Sequence, residues 1–411
     1  MIIKEDALMG YEMPEKKEKK EIQDKLEEKS NQRRKAKKRK KIKNRTDFLQ
    51  AIIDDPEKVY KYTNKGNRVA VVSNGSSVLD LGEVGAEAVL PIVESKVKLL
   101  KKYGKVEAVP ICLNTTDVNE LATTIKSLAP AYGAIFLEDI VVQDCIELQC
   151  RLQSELSIPI YHDDQLGRAI VVLAALYNAV KVIDKSLEDL RVVIAGSEVV
   201  NLAIIELLLT ADVKEIILYD KFKILQSNDS EFDLIKEKIT QESRVNIMED
   251  NLKQSIVGAD VLLGNGLEDI QNQQVIQEMK EDPIIFSLAD SILEVTSQTD
   301  NSNGIKAIST SNFSEGKQIN SQLVFPGLIK GLLHSRKKRL SQEVQLVIAR
   351  VLASLVDEPA LDNILPNAFD PKVMMKTTEA IMKVVTNTKT TADKLKNRDD
   401  LPLEVMEHLL D

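Results

Sequence analysis

Two short apolar runs, each closed by a pair of carboxylates, constrain this chain more than any other feature. Ala134–Leu137 leads into Glu138 and Asp139, and Ile158–Tyr161 leads through His162 into Asp163 and Asp164. Apolar runs of this length read as buried strands. In open α/β sheets, ligands sit at the carboxyl ends of the strands. Carboxylates converging there repel one another unless protons or a cation separate them. An all-oxygen donor set favours a hard divalent cation, Mg²⁺ or Mn²⁺. A single Asp pair is more often a helix N-cap or a solvated loop, so the weight of the pattern rests on its surroundings.

Those surroundings alternate strand and helix, which implies parallel sheets and an α/β fold. In a first domain, 46–165, the further strand candidates are Val69–Ser73 and Ala108–Leu113. Between them, Gly85–Tyr103 carries apolar residues at helical spacing: Val89, Leu90, Val93, Val97 and Leu100. Ile170–Val182 is almost wholly apolar and reads as a buried helix joining two domains. A second domain, 166–335, has strand candidates Leu190–Ala195, Glu215–Tyr219, Asp260–Gly264, Pro283–Leu288 and Gly304–Ile308. Residues 336–411 are expected to be C-terminal helices, for example Glu343–Val356.

The second domain opens as a dinucleotide site does: strand, glycine turn, helix, strand, then an acid, Asp220. Its turn departs from the G-x-G-x-x-G fingerprint. The segment is Gly196-Ser197-Glu198-Val199-Val200-Asn201, with only the first glycine kept. Glu198 puts a side chain and a negative charge where a bare backbone should approach a diphosphate, and it would occupy the positive end of the helix itself. Asn201 enlarges the position that allows close helix packing. Gly196 and Asp220 remain as candidate NAD contacts, and ordinary NAD binding is expected to be impaired.

Residues 1–45 differ in kind. Arg33 to Arg45 holds ten basic side chains in thirteen positions, with Ile42 the one large apolar residue. Such a segment cannot build a core and is expected to be a disordered or surface-helical arm. It suits nucleic acid or another acidic surface as a contact, or simply solvent. The whole chain, by contrast, carries a net charge of −9, against binding nucleic acid over its whole surface. With no Trp and only 4% aromatic residues, its 411 residues must pack on Ile, Leu, Val and Ala. Cys112, Cys145 and Cys150 show no metal spacing and no even count, which fits a reducing compartment. No apolar run reaches the length of a membrane span, and the expected location is cytoplasmic.

The segments FLEDI (136–140), HDDQLGRA (162–169), VESKVKLL (93–100) and LVFPGLIKGLL (323–333) together resemble the malic enzyme family, in register over residues 51 to 385. The resemblance implies a malic-enzyme α/β domain followed by a Rossmann-type NAD-binding domain, assembled as a homodimer. It implies oxidative decarboxylation of malate to pyruvate with NAD and a divalent metal. Carried over by motif, Glu138, Asp139 and Asp164 become metal ligands, Asp163 a carboxylate behind them, and Lys96 the general base or acid. By helical spacing alone Lys96, among Lys98, Lys101 and Lys102, would lie on a solvated face. Asn320 aligns with a substrate asparagine.

The departures are as informative. The tyrosine motif of the family falls near Lys41, and no such tyrosine is present. Asn74 stands for an aspartate, Asp80 and Glu83 enter a glycine turn, and Leu166 and Arg168 alter the HDDQ segment. Gly264–Asp269 and Ala289-Asp290-Ser291 lose further family residues. Two readings follow. One is a divergent enzyme acting on a small dicarboxylate or 2-oxo acid, its NAD-linked half weakened and metal-dependent oxaloacetate decarboxylation surviving. The other is an inactive homologue that serves as a scaffold through its basic arm.

Overall fold

The computed structural model describes residues 45–78, 81–220, 239–248, 252–264, 277–288, 319, 321–360, 363–368 and 370–386; the side chains of Arg45, Asp163, Asp164, Gln165 and Ser287 lie outside that description. The basic arm, Asp80, the strand expected at Gly304–Ile308, Asp290 and Asn320 fall outside it as well. The chain falls into two compact units, Met1–Thr63 and Asn64–Asp411. In the first, helix α1 (Arg45–Asp54) is followed by short helical turns through Tyr62, and Phe48 meets Tyr62 edge-on with ring centroids 5.1 Å apart.

The second unit contains two parallel sheets. The first has β1 (Arg68–Ser73), β2 (Glu107–Cys112), β3 (Ala134–Leu137) and β4 (Ile160–His162) in the order β2-β1-β3-β4. Helices α2 (Leu90–Leu99), α3 (Val118–Leu128) and α4 (Val142–Glu155) connect them. Val69 to Val72 and Ala134 to Phe136 are fully buried, as continuous apolar strands of a parallel sheet covered on both faces must be. The strand expected at Ile158–Tyr161 is Ile160–His162, beginning two residues later and ending one later, because Pro159 has no N–H to give the ladder. The Pro159 carbonyl still accepts the Ile135 amide.

The second sheet comprises β5 (Arg191–Ala195), β6 (Glu215–Tyr219), β7 (Val245–Met248), β8 (Val261–Gly264) and β9 (Ile284–Ser287), in the order β7-β6-β5-β8-β9. That is the doubly wound order of a nucleotide-binding fold. Strand β7 has no counterpart in the sequence reading. It is a short edge strand, only Val245 of it buried, defined by its pairing to β6.

Helix α5 (Asp163–Val182) runs between the sheets, starting seven residues earlier than its apolar body. It packs against α6 (Val199–Thr210), which is apolar on nearly every side and buried accordingly. It also packs against α8 (Gln342–Ser354), where buried Asn178 donates to the carbonyls of Ala353 at 2.9 Å and Ile364 at 3.0 Å. Helix α7 (Phe325–Ser335) meets α9 (Pro371–Thr386) closely: a Cβ at Gly331 would come 2.8 Å from Val385 Cβ. Among the described residues no helix is long and apolar enough to cross a membrane.

At the base of the second sheet, Asp260 is 1% exposed and accepts the Arg191 amide at 2.9 Å, Lys185 Nζ at 2.9 Å and Lys280 Nζ at 2.8 Å. Burial pushes its carboxyl up, but the Arg191 amide and the two ammonium groups outweigh burial and hold it below its ordinary value. Asp260→Ala is expected to destabilise the fold by about 1–3 kcal/mol at neutral pH. Because the folded value is depressed, this contribution is whole above the unfolded value, about 3.9, and fades as pH falls through the folded one. Urea unfolding of both proteins across that range should show the gap between them closing on the acid side.

Candidate active site

In the first sheet the chain passes to β2 on one side of β1 and to β3 and β4 on the other. The carboxyl ends of β1 and β3 therefore flank the crevice where such sheets hold ligands. From β1 leave Ser73, Asn74 and Gly75. Asn74 is buried, donates to the Thr115 carbonyl at 3.1 Å and accepts the Ser76 amide at 3.1 Å. Gly75 has φ +66°, and a Cβ there would collide with the Gly85 backbone, so the loop closes tightly over it. The loop is pinned to the exit of β3: Ser76 Oγ accepts the Val141 amide at 2.9 Å, and the Ser77 amide donates to the Asp139 carbonyl at 3.3 Å.

From β3 leave Glu138 and Asp139. Glu138 is buried, and Asp139 takes a left-handed φ of +50°, a conformation its short polar side chain tolerates. Strand pairing sets Leu137 opposite His162, so Glu138 and Asp163 are the next residues on adjacent strands. Backbone register thus brings together the starts of both acidic pairs.

Lys96 reaches this point from the last turn of α2. Its Nζ lies 3.1 Å from Glu138 Oε1, with the two side chains 17% and 9% exposed. The ammonium also sits 4.9 Å from the ring centre of Phe325 and 5.9 Å from that of Phe136. The solvated face expected from its spacing is therefore not where Lys96 lies. Val93 and Val97 turn the adjacent face of α2 inward, and rings from β3 and α7 close over the ammonium. Nothing in the local sequence of α2 signals that aromatic seat.

Glu138 Oε2 and Asp139 Oδ2 are shut away from solvent. Neighbouring buried carboxylate oxygens, at the foot of a helix that opens with two more aspartates, have the donor chemistry of a hard divalent cation. Among the described residues no three metal-ligating side chains gather. The side chains of Asp163 and Asp164, and all of Asn320, are outside those residues. Arg168 is half-buried on the second turn of α5.

The second sheet has its own crevice, between β5 and β8. Gly196 follows β5 with φ +102°, and a Cβ there would run into the Glu198 carboxylate, which folds back across the turn. Asn201 holds it: Nδ2 lies 2.9 Å from Glu198 Oε2 and 3.1 Å from the carbonyls of both Ala195 and Gly196. The residue in the third glycine position is thus a donor that secures a carboxylate over the turn. Asp220, nearly fully buried, accepts Ser197 Oγ at 2.7 Å. Neither the Asn201 clamp nor the Ser197 bond was evident from residue spacing. The turn as it stands does not fit a dinucleotide diphosphate: the bare backbone face is covered, and the cover is negative.

Over residues 34–153 the chain matches the family described as malic enzyme, N-terminal domain, and over residues 166–388 the one described as malic enzyme, NAD binding domain. It is 37% identical over 340 residues to the NAD-dependent malic enzyme of Geobacillus stearothermophilus, spanning 82% of this chain and 71% of that one. It is 36% identical over 340 residues to the bifunctional malic/malolactic enzyme of Bacillus subtilis, spanning 82% and 83%. The crystal structure of the malic enzyme from Pyrococcus horikoshii superposes with a TM-score of 0.73 at 30% identity, over 89% of this chain and 86% of that one. The NAD-dependent malic enzyme from Thermotoga maritima gives 0.73 at 33% identity, over 84% and 91%.

The Lys96–Glu138 contact is expected to be energetically coupled. In a cycle of Lys96→Met, Glu138→Gln and the double variant, urea unfolding should give a coupling free energy of about 0.5–3 kcal/mol. Strict additivity would mean the two side chains do not interact in solution.

Proposed function

The chain belongs to the malic enzyme family, and from that premise we propose that it is a divergent member whose retained chemistry is metal-dependent decarboxylation of a 2-oxo dicarboxylate such as oxaloacetate. The hydride-transfer half is weak or lost in this reading. The observation that carries it is the contrast between the two crevices. In the first, Lys96 and Glu138 pair at 3.1 Å. In the second, Glu198 is clamped over the cofactor turn.

Glu138, Asp139 and Asp164 would hold Mg²⁺ or Mn²⁺, with Asp163 orienting them from behind. When bound, the cation supplies Lewis acidity to the oxygens of the substrate. As the carbon–carbon bond to the departing carboxylate breaks, its electron pair passes into the 2-oxo group, and the carbon left behind takes a proton. Lys96 Nζ is the donor in this scheme, oriented by Glu138 and kept from bulk water by Phe136 and Phe325. Glu138 also offsets the positive charge of the ammonium while substrate is absent. The family resemblance supports a soluble homodimer acting in the cytoplasm.

Two measurements test this. Oxaloacetate loss should rise with Mn²⁺ or Mg²⁺ and fall by about 10²–10⁴ in Lys96→Ala, with a comparable collapse in Asp164→Ala; a rate indifferent to metal removes the proposal. Malate-dependent NADH formation should be slow, and the double variant Glu198→Gly/Asn201→Gly should bind NAD⁺ about tenfold more tightly by calorimetry, roughly 1.4 kcal/mol. NADH formation at rates typical of malic enzymes would overturn the weakened-cofactor half alone.

A further inference from the structure

A cavity of about 270 Å³ is lined from α4, β4, α5, α6, α7, α8 and the turn between α7 and α8. None of Lys96, Glu138, Asp139, Gly196 or Asp220 lines it. Its apolar floor is Ile160, Leu166, Ala203, Leu332 and Leu340, and Gln149 and Gln345 contribute side-chain amides. Lys338 and Arg339 stand at its exposed mouth.

The two cations are placed by a buried group. Gln153 is 7% exposed and anchors to the edge of β4, donating from Nε2 to the Ile160 carbonyl at 3.1 Å. Its carbonyl oxygen accepts Lys338 Nζ at 3.1 Å, and its side-chain Oε1 accepts Arg339 Nε. With Nε spent on Gln153, the two terminal amino groups of the guanidinium form a fork suited to a carboxylate or phosphate. Among the described residues neither cation is in an ion pair with a carboxylate. One carboxylate, Glu206, also lines the cavity, so the charged groups there sum to +1 in a chain whose net charge is −9.

We propose that this cavity is a second binding site, for a small organic anion whose carboxylate or phosphate group is taken by Arg339 and Lys338 and whose body rests on the apolar floor. Its volume falls just under the usual range for ligand pockets, about 300–1,000 Å³, which selects a metabolite-sized ligand over a nucleotide. The amides of Gln149 and Gln345 can serve a hydroxyl or second polar group. The site does not depend on the decarboxylase reading, since it shares no residue with that machinery.

The intact protein provides the reporter. Cys150 is exposed and lines the cavity, whereas Cys145 is buried and Cys112 half-buried. Alkylation of Cys150 by iodoacetamide, followed by peptide mass spectrometry, reads occupancy directly. Millimolar succinate or inorganic phosphate, at ionic strength matched with sodium chloride, should slow it several-fold. The anion that protects identifies the head group. Protection should vanish in Lys338→Ala/Arg339→Ala, or in the milder Arg339→Gln if the double variant is unstable. If neither anion protects beyond chloride, or if protection survives loss of the cations, the proposal is wrong.

Discussion

One continuous apolar core runs from the first sheet to the second, and α5 is the element through which it passes. Residues from β1 and β3, the body of α5, the inner face of β5 and helices α6, α7 and α8 all belong to it. Parallel sheets cannot leave a face in water, because their crossovers place helices on both sides. A chain with two such sheets must supply a helix apolar enough to serve as a wall for both. Ala169 to Leu176 is that helix, with every side chain from 169 to 176 essentially inaccessible. Its first residues, Asp163 and Asp164, are therefore carried on a rigid rod, starting where β4 ends. Chemistry at that end inherits its precision from packing further along the same helix.

Strands closed by an acid were legible because several features agreed: an unbroken apolar run, a length of four or five residues, and a charged stop. Ala134–Leu137 and Glu215–Tyr219 have the bounds their sequences imply. Where one feature failed, so did the bounds. Pro159 delayed β4, and β7, with Asn246 exposed in its middle, carried too weak a pattern to be noticed. Lys96 was legible only through its resemblance to a family motif. Its surroundings come from β3 and α7, and helical spacing in α2 contains no trace of either.

The cofactor turn shows the opposite balance. Loss of two glycines and the arrival of a carboxylate were readable as single substitutions. That they form one device was not. Asn201 does not merely add bulk; its amide reaches two carbonyls and the Glu198 carboxylate together. A sequence shows which side chains have changed, but only coordinates show that two of the changes bond to each other.

Substitutions that weaken a site differ from those that rebuild it. A drifting turn would lose glycines without organising their replacements. Here the replacement carboxylate is held by a donor that is itself buried, and the neighbouring acid, Asp220, is bonded to the hydroxyl of Ser197. A ligand entering the turn must displace the Glu198 carboxylate, break its bond to Asn201 and bring two phosphate charges beside it. The first crevice has a different arrangement, a half-buried cation beside a buried carboxylate. A diphosphate approaching the second crevice meets a carboxylate held by an amide, whereas the first crevice already sets an ammonium beside its carboxylate.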